Sequence, residues 1–429
     1  MDVRAFLSPR WKWFWRMPIW RVLFFLIYLV EATWCTLTRK RNQSTRKGAI
    51  AKAFENQRSI VCCPHQGQDF QSKLHVQGLD MCLPEFHENE FFFLAKVFPL
   101  GRILQRKLCI EAIYRNPKVR NIQLPGTVFV VGLPRTGSTW FHNLCELDAA
   151  CRTLKSWELK RPIPCSIDCG PSRRERQQFE KKSMGTLYKL FPRLRSIHYV
   201  EFDSPDECVL GFMDCFMIEH HAWGMAHCPN TYNWYTTNSM LEQYQNYAKV
   251  VKTILCEDKK PSYDKLVLKS PHHILKLEEI SVAFPNAVAI WLHRNVEDVV
   301  ASTCCMNQAV LDAMCPTYFD SKELGARTCA RLANATRLGM AARNALENRG
   351  KMKFIDIYYS DLTRDPVGTI RTAYLQAGLT FSGDFASAIE ASLGTRRAKR
   401  NHTYNLEEFG LSPGTINKEF QEYKARFDI

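Results

Sequence analysis

The sequence predicts an α/β fold in which a mostly parallel sheet is flanked by helices. Three observations carry that expectation. A β-branched run, Val128-Phe129-Val130-Val131, leads into Gly132-Leu133-Pro134-Arg135-Thr136-Gly137-Ser138-Thr139-Trp140, and a helix-compatible stretch from Trp140 to Leu147 follows. A second strand–loop–helix signal starts at Ala287-Val288-Ala289-Ile290-Trp291-Leu292. Short runs at Lys265–Leu268 and Phe354–Tyr358 are likewise each followed by a helical stretch. Strands alternating with helices pair in parallel and bind ligands at their carboxyl ends.

Taken in chain order, Trp11 to Leu37 is aromatic and aliphatic, with an apolar core from Val22 to Val30 bounded by Arg21 and Glu31. That core is shorter than the ~20 residues that span a bilayer. Two readings stand: a membrane anchor, or a helix lying in the membrane interface with Trp and Arg at headgroup level. Basic residues flank both sides, so the positive-inside rule does not orient the segment. Residues 1–50 are therefore expected to form a membrane-associated helix plus a basic linker, and 51–120 a helical extension. An ER or Golgi single-pass arrangement with a lumenal catalytic domain is one expected localisation. The sheet domain covers 121–429, with a helical insertion at about 150–260 that is poor in sheet signals. Its aromatics and histidines, such as Phe212, His220, Trp223, Trp234 and Tyr235, suit the lining of an acceptor pocket as a set, although core packing between helices is the commoner role for any one of them.

With 429 residues and 46% hydrophobic side chains, the chain can hold one large domain and an extension. A net charge of +15 suits an anionic ligand, an anionic membrane surface or an acidic acceptor. The basic residues are scattered, without zinc-finger, homeodomain or aromatic-RNP patterns, so nucleic acid is not expected as a partner. The seventeen cysteines are dispersed, and the adjacent pairs Cys62-Cys63 and Cys304-Cys305 lack C-x-x-C spacing. No metal site is expected. Oligomeric state is not readable.

The first loop is P-loop-like in layout: glycines let the backbone bend so that amides and a helix N-terminus face an anion. Ser138 stands where the nucleotide-hydrolase pattern carries lysine, and the loop's cation, Arg135, lies inside it. The loop therefore suits an anion other than magnesium-ATP. The second strand ends in His293-Arg294-Asn295, not in a metal-binding aspartate, and Ser302 follows on the next helix. An arginine and a hydroxyl so placed suit a second phosphate.

Gly132–Thr139 resembles the 5′-phosphosulfate loop of sulfotransferases that use 3′-phosphoadenosine 5′-phosphosulfate, and Arg294 with Ser302 resembles their 3′-phosphate pair. Further landmarks recur in order: Trp157-Glu158, Pro205-Asp206-Glu207, Leu268-Lys269-Ser270-Pro271-His272, Tyr359-Ser360-Asp361-Leu362 and His402-Thr403-Tyr404. The set is similar to a branch of the superfamily widespread in bacteria and also found in eukaryotes, over about residues 90–429.

The resemblance implies transfer of a sulfuryl group to a hydroxyl acceptor by in-line displacement with a general base, and no metal. It implies Arg135, Thr136, Gly137, Ser138 and Thr139 at the 5′-phosphosulfate, and Lys269 near the bridging oxygen. Trp140 and Tyr359 would meet adenine, although a core-facing helix position serves Trp140 nearly as well. Arg294 and Ser302 would hold the 3′-phosphate, with Lys399, Arg400 and His402 closing over it. Arg400 stands where the family commonly carries glycine. Two bases remain open: Glu158, favoured, where tyrosylprotein and bacterial enzymes place a catalytic glutamate, and His272, where cytosolic enzymes place a histidine. A salt bridge from Glu158 to Arg135 or Lys160 would be its structural alternative. The expected acceptor is an amphiphilic alcohol such as a sterol, quinol or glycolipid, or a glycan. The competing functions are a P-loop small-molecule kinase and a non-catalytic nucleotide-binding relative. The missing loop lysine argues against the first, and the retained Arg135, Glu158, Lys269, Arg294 and Ser302 against the second.

Overall fold

The computed structural model describes residues 106, 109–163, 171–190, 195, 200–215, 229–258, 263–314, 320–394 and 405–429. The expected membrane-associated segment, most of the helical extension, His220, Trp223, Lys399, Arg400 and His402 lie outside these residues. Among the described residues, no helix is long and apolar enough to cross a membrane.

Five strands, β1 (Gly126–Gly132), β2 (Cys151–Thr153), β3 (Lys265–Lys269), β4 (Val288–His293) and β5 (Lys353–Tyr358), form one sheet in the order β2-β3-β1-β4-β5. Every pairing is parallel. The central strand β1 is apolar along almost its whole length because both of its faces are covered, as parallel sheets require. Its alternate residues enter two cores. Phe129 and Val131 join Leu266, Leu268, Ala289 and Trp291 on one face; Val128 and Val130 join Val267, Ile290, Leu292, Ile355 and Ile357 on the other.

Seven helices flank the sheet and the site: α1 (Ser138–Cys145), α2 (Ser156–Lys160), α3 (Leu241–Leu255), α4 (Val296–Met314), α5 (Ser321–Asn348), α6 (Pro366–Ala377) and α7 (Gly383–Gly394). Helices α1, α6 and α7 cover the Val128/Val130 face; α3, α4 and α5 cover the other. The chain passes from β1 to the β2 edge, returns to β3 beside β1, and crosses to β4 on β1's opposite side. The carboxyl ends of β3, β1 and β4 thus surround a switch in strand order, where α/β sheets bind ligands.

One expectation is corrected, and one choice between two roles is decided. The insertion is not purely helical, because β2 pairs with β3 from Cys151↔Lys265 to Thr153↔Val267. A Cys-Arg-Thr strand is too short for alternation to register in sequence. Within the insertion, Phe212 and Tyr235 are buried core residues, and Trp234 packs against the same core. Phe212 stacks on Tyr247 at 4.5 Å and meets Tyr244 edge-on at 5.0 Å. For these aromatics, burial of large rings between helices outweighs any pocket role.

Candidate active site

The anion loop is shaped by three left-handed backbone positions. Gly132 closes β1 at φ +126°, where a Cβ would approach the Leu292 carbonyl oxygen to 2.6 Å. Arg135 has φ 65°, uncommon for a residue with a side chain and characteristic of functional loops. Gly137 has φ +90°, and a Cβ there would lie 2.7 Å from the Tyr359 ring. The Thr136 hydroxyl donates to the Leu133 carbonyl at 2.9 Å and pins the turn. Helix α1 then starts at Ser138 with Gly137 as its N-cap and no side-chain capping bond. Its first amides carry the positive end of the helix dipole and are left to an incoming anion.

One flank of the loop gathers Arg135, Arg294, Ser302 and Tyr359. Arg135 Nε donates to Ser302 Oγ at 2.9 Å, and Arg294 Nη1 donates to the Arg135 carbonyl at 3.0 Å. The Arg294 guanidinium lies 4.7 Å from the centre of the Tyr359 ring and pairs with the exposed Asp298 at 3.1 Å. Register explains the convergence: Gly132 pairs with Leu292, and His293 with Tyr358, so Arg294 and Tyr359 leave adjacent strands beside the loop.

The other flank is built on Lys269, the last residue of β3. Its Nζ donates to Thr139 Oγ1 at 3.2 Å and to Glu207 Oε1 at 2.8 Å. Thr139 lies in the first turn of α1, so this ammonium touches the anion loop directly. His142, one turn further along α1, bonds through Nε2 to the Val267 carbonyl at 3.2 Å. A carbonyl only accepts, so the ring's proton sits on Nε2. Burial first, then the Lys269 ammonium, push the His142 pKa down to about 3, and the ring is neutral.

Glu158 has a different environment from any expected for it. Its side chain is 3% exposed, and its carboxylate accepts from both terminal nitrogens of Arg152, at 2.9 and 2.7 Å. It also accepts the Lys155 N–H at 2.9 Å and so caps α2. Arg173 stands 3.8 Å away. The salt bridge anticipated to Arg135 or Lys160 is corrected: Lys160 pairs with Glu180 at 2.6 Å, and Arg135 is turned toward Ser302. Arg152 on the edge strand is nearer, and it binds Asp258 as well.

His272 is buried in the 3₁₀ turn Pro271–Leu275, with Nδ1 bonded to Ser270 Oγ at 3.0 Å. Its neighbour His273 belongs to the core, edge-on to Phe129 at 4.9 Å and bonded to the Tyr244 hydroxyl at 2.9 Å; burial lowers its pKa to about 3. Trp140 is half-buried and packs against the α1, α6 and α7 core. Sequence reasoning noted Pro205-Asp206-Glu207 as a landmark without giving Glu207 a site role. Long-range docking brings that carboxylate to Lys269: Lys155 and Pro205 form an antiparallel bridge, and backbone bonds join 154–157 to 202–206 around it.

A loop made for an anion, flanked by Arg135 and Arg294 on one side and Lys269 on the other, coincides with a family match. Residues 125–383 match the model described as "Sulfotransferase family". The chain belongs to the sulfotransferase family. It is thus an enzyme that transfers sulfuryl groups, and the kinase alternative is not favoured. Two solved sulfotransferases share the fold. STF1 from Mycobacterium tuberculosis H37Rv is 23% identical with a TM-score of 0.67, over 82% of this chain and 92% of that one. STF9 from Mycobacterium avium is 23% identical with a TM-score of 0.65, over 76% and 83% respectively. Among curated proteins, none matches the chain.

Proposed function

We propose that this sulfotransferase takes its sulfuryl group from 3′-phosphoadenosine 5′-phosphosulfate and passes it to a hydroxyl acceptor. The carrying observation is the pair of anion positions about the loop. The uncapped start of α1, between Arg135 and Lys269, suits the 5′-phosphosulfate. Arg294 and Ser302, linked through Arg135, suit a separate 3′-phosphate. Gly137 supports the fit, since any side chain there would fill the space between the loop and Tyr359.

In this reading the acceptor oxygen attacks sulfur in line with the leaving phosphate. Preorganised cations over the developing charge do most of the work, and no bound metal is required for that role. Lys269 is placed to neutralise the bridging oxygen as its bond to sulfur breaks, and Arg135 to hold the 5′-phosphate. The aromatic, basic N-terminal stretch from Trp11 to Leu37 supports an amphiphilic acceptor met at a membrane surface.

The test is calorimetric titration with 3′-phosphoadenosine 5′-phosphate beside magnesium-ATP. Metal-independent binding is expected, falling about 10–150-fold in Arg294→Ala, the loss of a hydrogen bond to a charged group. Preference for magnesium-ATP, or an unchanged affinity in the variant, would defeat the reading.

A further inference from the structure

We propose that Glu207 accepts the proton of the attacking hydroxyl. This inference rests on the sulfuryl-transfer reading above and adds a residue to it. Glu158, His272 and Glu207 compete for the role. Glu158 is held on two oxygens by Arg152 and on one by a backbone amide, with 3% of its side chain exposed. Moving a proton onto it would break a two-pronged ion pair in a nearly dry setting. His272 is buried and bonded to Ser270. Glu207 alone of the three reaches solvent appreciably, at 19% side-chain exposure, while touching the ammonium that touches the loop.

The geometry gives this carboxylate a defined place. Glu207 Oε1 is 2.8 Å from Lys269 Nζ, and Nζ is 3.2 Å from Thr139 Oγ1 in the first turn of α1. The carboxylate therefore stands two hydrogen bonds from the position a phosphosulfate on the loop would take. Its position is fixed from behind. Pro205 bridges Lys155, the Asp206 N–H donates to the Leu154 carbonyl at 3.1 Å, and the Glu207 N–H donates to Asp206 Oδ1 at 2.7 Å.

A carboxylate paired with an ammonium is a weak base, but this pairing can be exchanged. A phosphosulfate on the loop presents oxygens that compete with Glu207 for the three donors of Lys269. As negative charge builds on the bridging oxygen, the ammonium is drawn toward it and Glu207 gains basicity when the acceptor loses its proton. Arg152 is held between Glu158 and Asp258, so the second carboxylate on it is a fixed part of the fold and not an incoming ligand.

The step balances. A lone pair of the acceptor oxygen forms the new O–S bond, and the S–O bond to the 5′-phosphate breaks with its electrons passing to the phosphate. The acceptor proton moves to Glu207, which returns it to water after the sulfated product leaves. The bland alternative is that Glu207 only neutralises Lys269, and the test must separate the two.

The experiment compares the full chain with Glu207→Gln, Glu207→Asp and Glu158→Gln, using 3′-phosphoadenosine 5′-phosphosulfate as donor. Acceptors are 4-nitrophenol, which ionises near neutrality, phenol, which does not, and water, read as acceptor-free sulfate release. For Glu207→Gln, transfer to phenol and to water is expected to fall about 10²–10⁴-fold, the range lost with a general base. Transfer to ionised 4-nitrophenol should fall far less, affinity for 3′-phosphoadenosine 5′-phosphate should hold or tighten, and Glu207→Asp should restore part of the rate. Equal losses on all acceptors would reduce Glu207 to holding Lys269 and overturn the proposal. So would an active Glu207→Gln beside an inactive, folded Glu158→Gln. A wild-type chain that fails to bind 3′-phosphoadenosine 5′-phosphate fails the parent reading instead, which is a separate outcome.

Discussion

Arg294 and Lys269 each bring a cation to the anion loop, but the chain places them by different means. Arg294 and Tyr359 directly follow their strands, and Ser302 lies early in the helix after β4, so parallel register of β1 with β4 and of β4 with β5 fixes all three. Lys269 also ends a strand, but its partner Glu207 arrives on the insertion through a bridge between Lys155 and Pro205. The first flank is a local consequence of strand ends; the second depends on long-range docking. Two chemistries follow. The strand-end flank presents guanidinium, hydroxyl and an aromatic ring, a set suited to holding a phosphate. The docked flank presents an ammonium against a partly exposed carboxylate, a set suited to moving charge and protons.

The largest expected effects, those at Glu207 and Lys269, lie on the docked flank. Lys269→Ala should lower turnover about 10²–10³-fold, as loss of one preorganised donor at a developing oxyanion does. Affinity for 3′-phosphoadenosine 5′-phosphate should change much less than in Arg294→Ala. Steady-state kinetics with calorimetry on both variants separates the flanks. Equal losses of affinity with turnover intact would merge them into one binding surface. The loss in a Lys269→Ala, Glu207→Gln double variant should be well short of the sum, because the two side chains share a hydrogen bond and one proposed step.

This difference also explains what could be read from the chain. Strand runs, the Gly132–Gly137 loop, and Arg294 and Tyr359 at strand ends are encoded within a few neighbouring residues, and periodicity with turn chemistry exposes them. β2 was invisible because three residues carry no period, and it brought Arg152 with it. Without β2, the sequence offers Arg135 and Lys160 as partners for Glu158 and gives no sign of Arg152. Glu207 was legible as a motif and not as a site, since nothing local says that Lys155 and Pro205 pair. Aromatics of the insertion such as Phe212 are ambiguous in sequence for a related reason: a core ring and a pocket ring share composition, and only packing distinguishes them.

A smaller effect tests whether Glu158 is scaffold. Glu158→Gln removes one carboxylate from a cluster of Arg152 and Asp258, leaving Arg152 partly neutralised by Asp258. Stability should fall by about 1–3 kcal/mol, the cost of breaking a buried charged hydrogen bond. Turnover per folded molecule should stay within a few-fold of wild type. Denaturant unfolding beside kinetics at saturating donor reads both. A variant with unchanged stability and lost turnover would transfer the proton-accepting role to Glu158 and invert the contrast between the flanks.

The smallest effect is a pH dependence belonging to the Lys269 side. His142 bonds to the β3 carbonyl of Val267, and His273 lies in the turn just after Lys269. Burial holds both rings near a pKa of about 3 against an ordinary 6.5; Lys269 adds to it, and Glu207 opposes it. Between those values the unfolded chain binds two protons that the folded chain refuses, so stability present above pH 6.5 drains away as the pH falls toward 3. Each ring contributes at most about 1.4 kcal/mol per pH unit across that window. His273→Gln, which cannot titrate, should flatten the fall of melting temperature with acidification by up to half of this pair's contribution, whatever its offset at neutral pH. An identical slope in variant and wild type would mean that water reaches His273 in the folded chain through the ring contacts of Phe129, Phe212 and Tyr244 around it. A flattened slope would show that the docked flank is also the one whose integrity depends on keeping neutral rings dry behind its lysine.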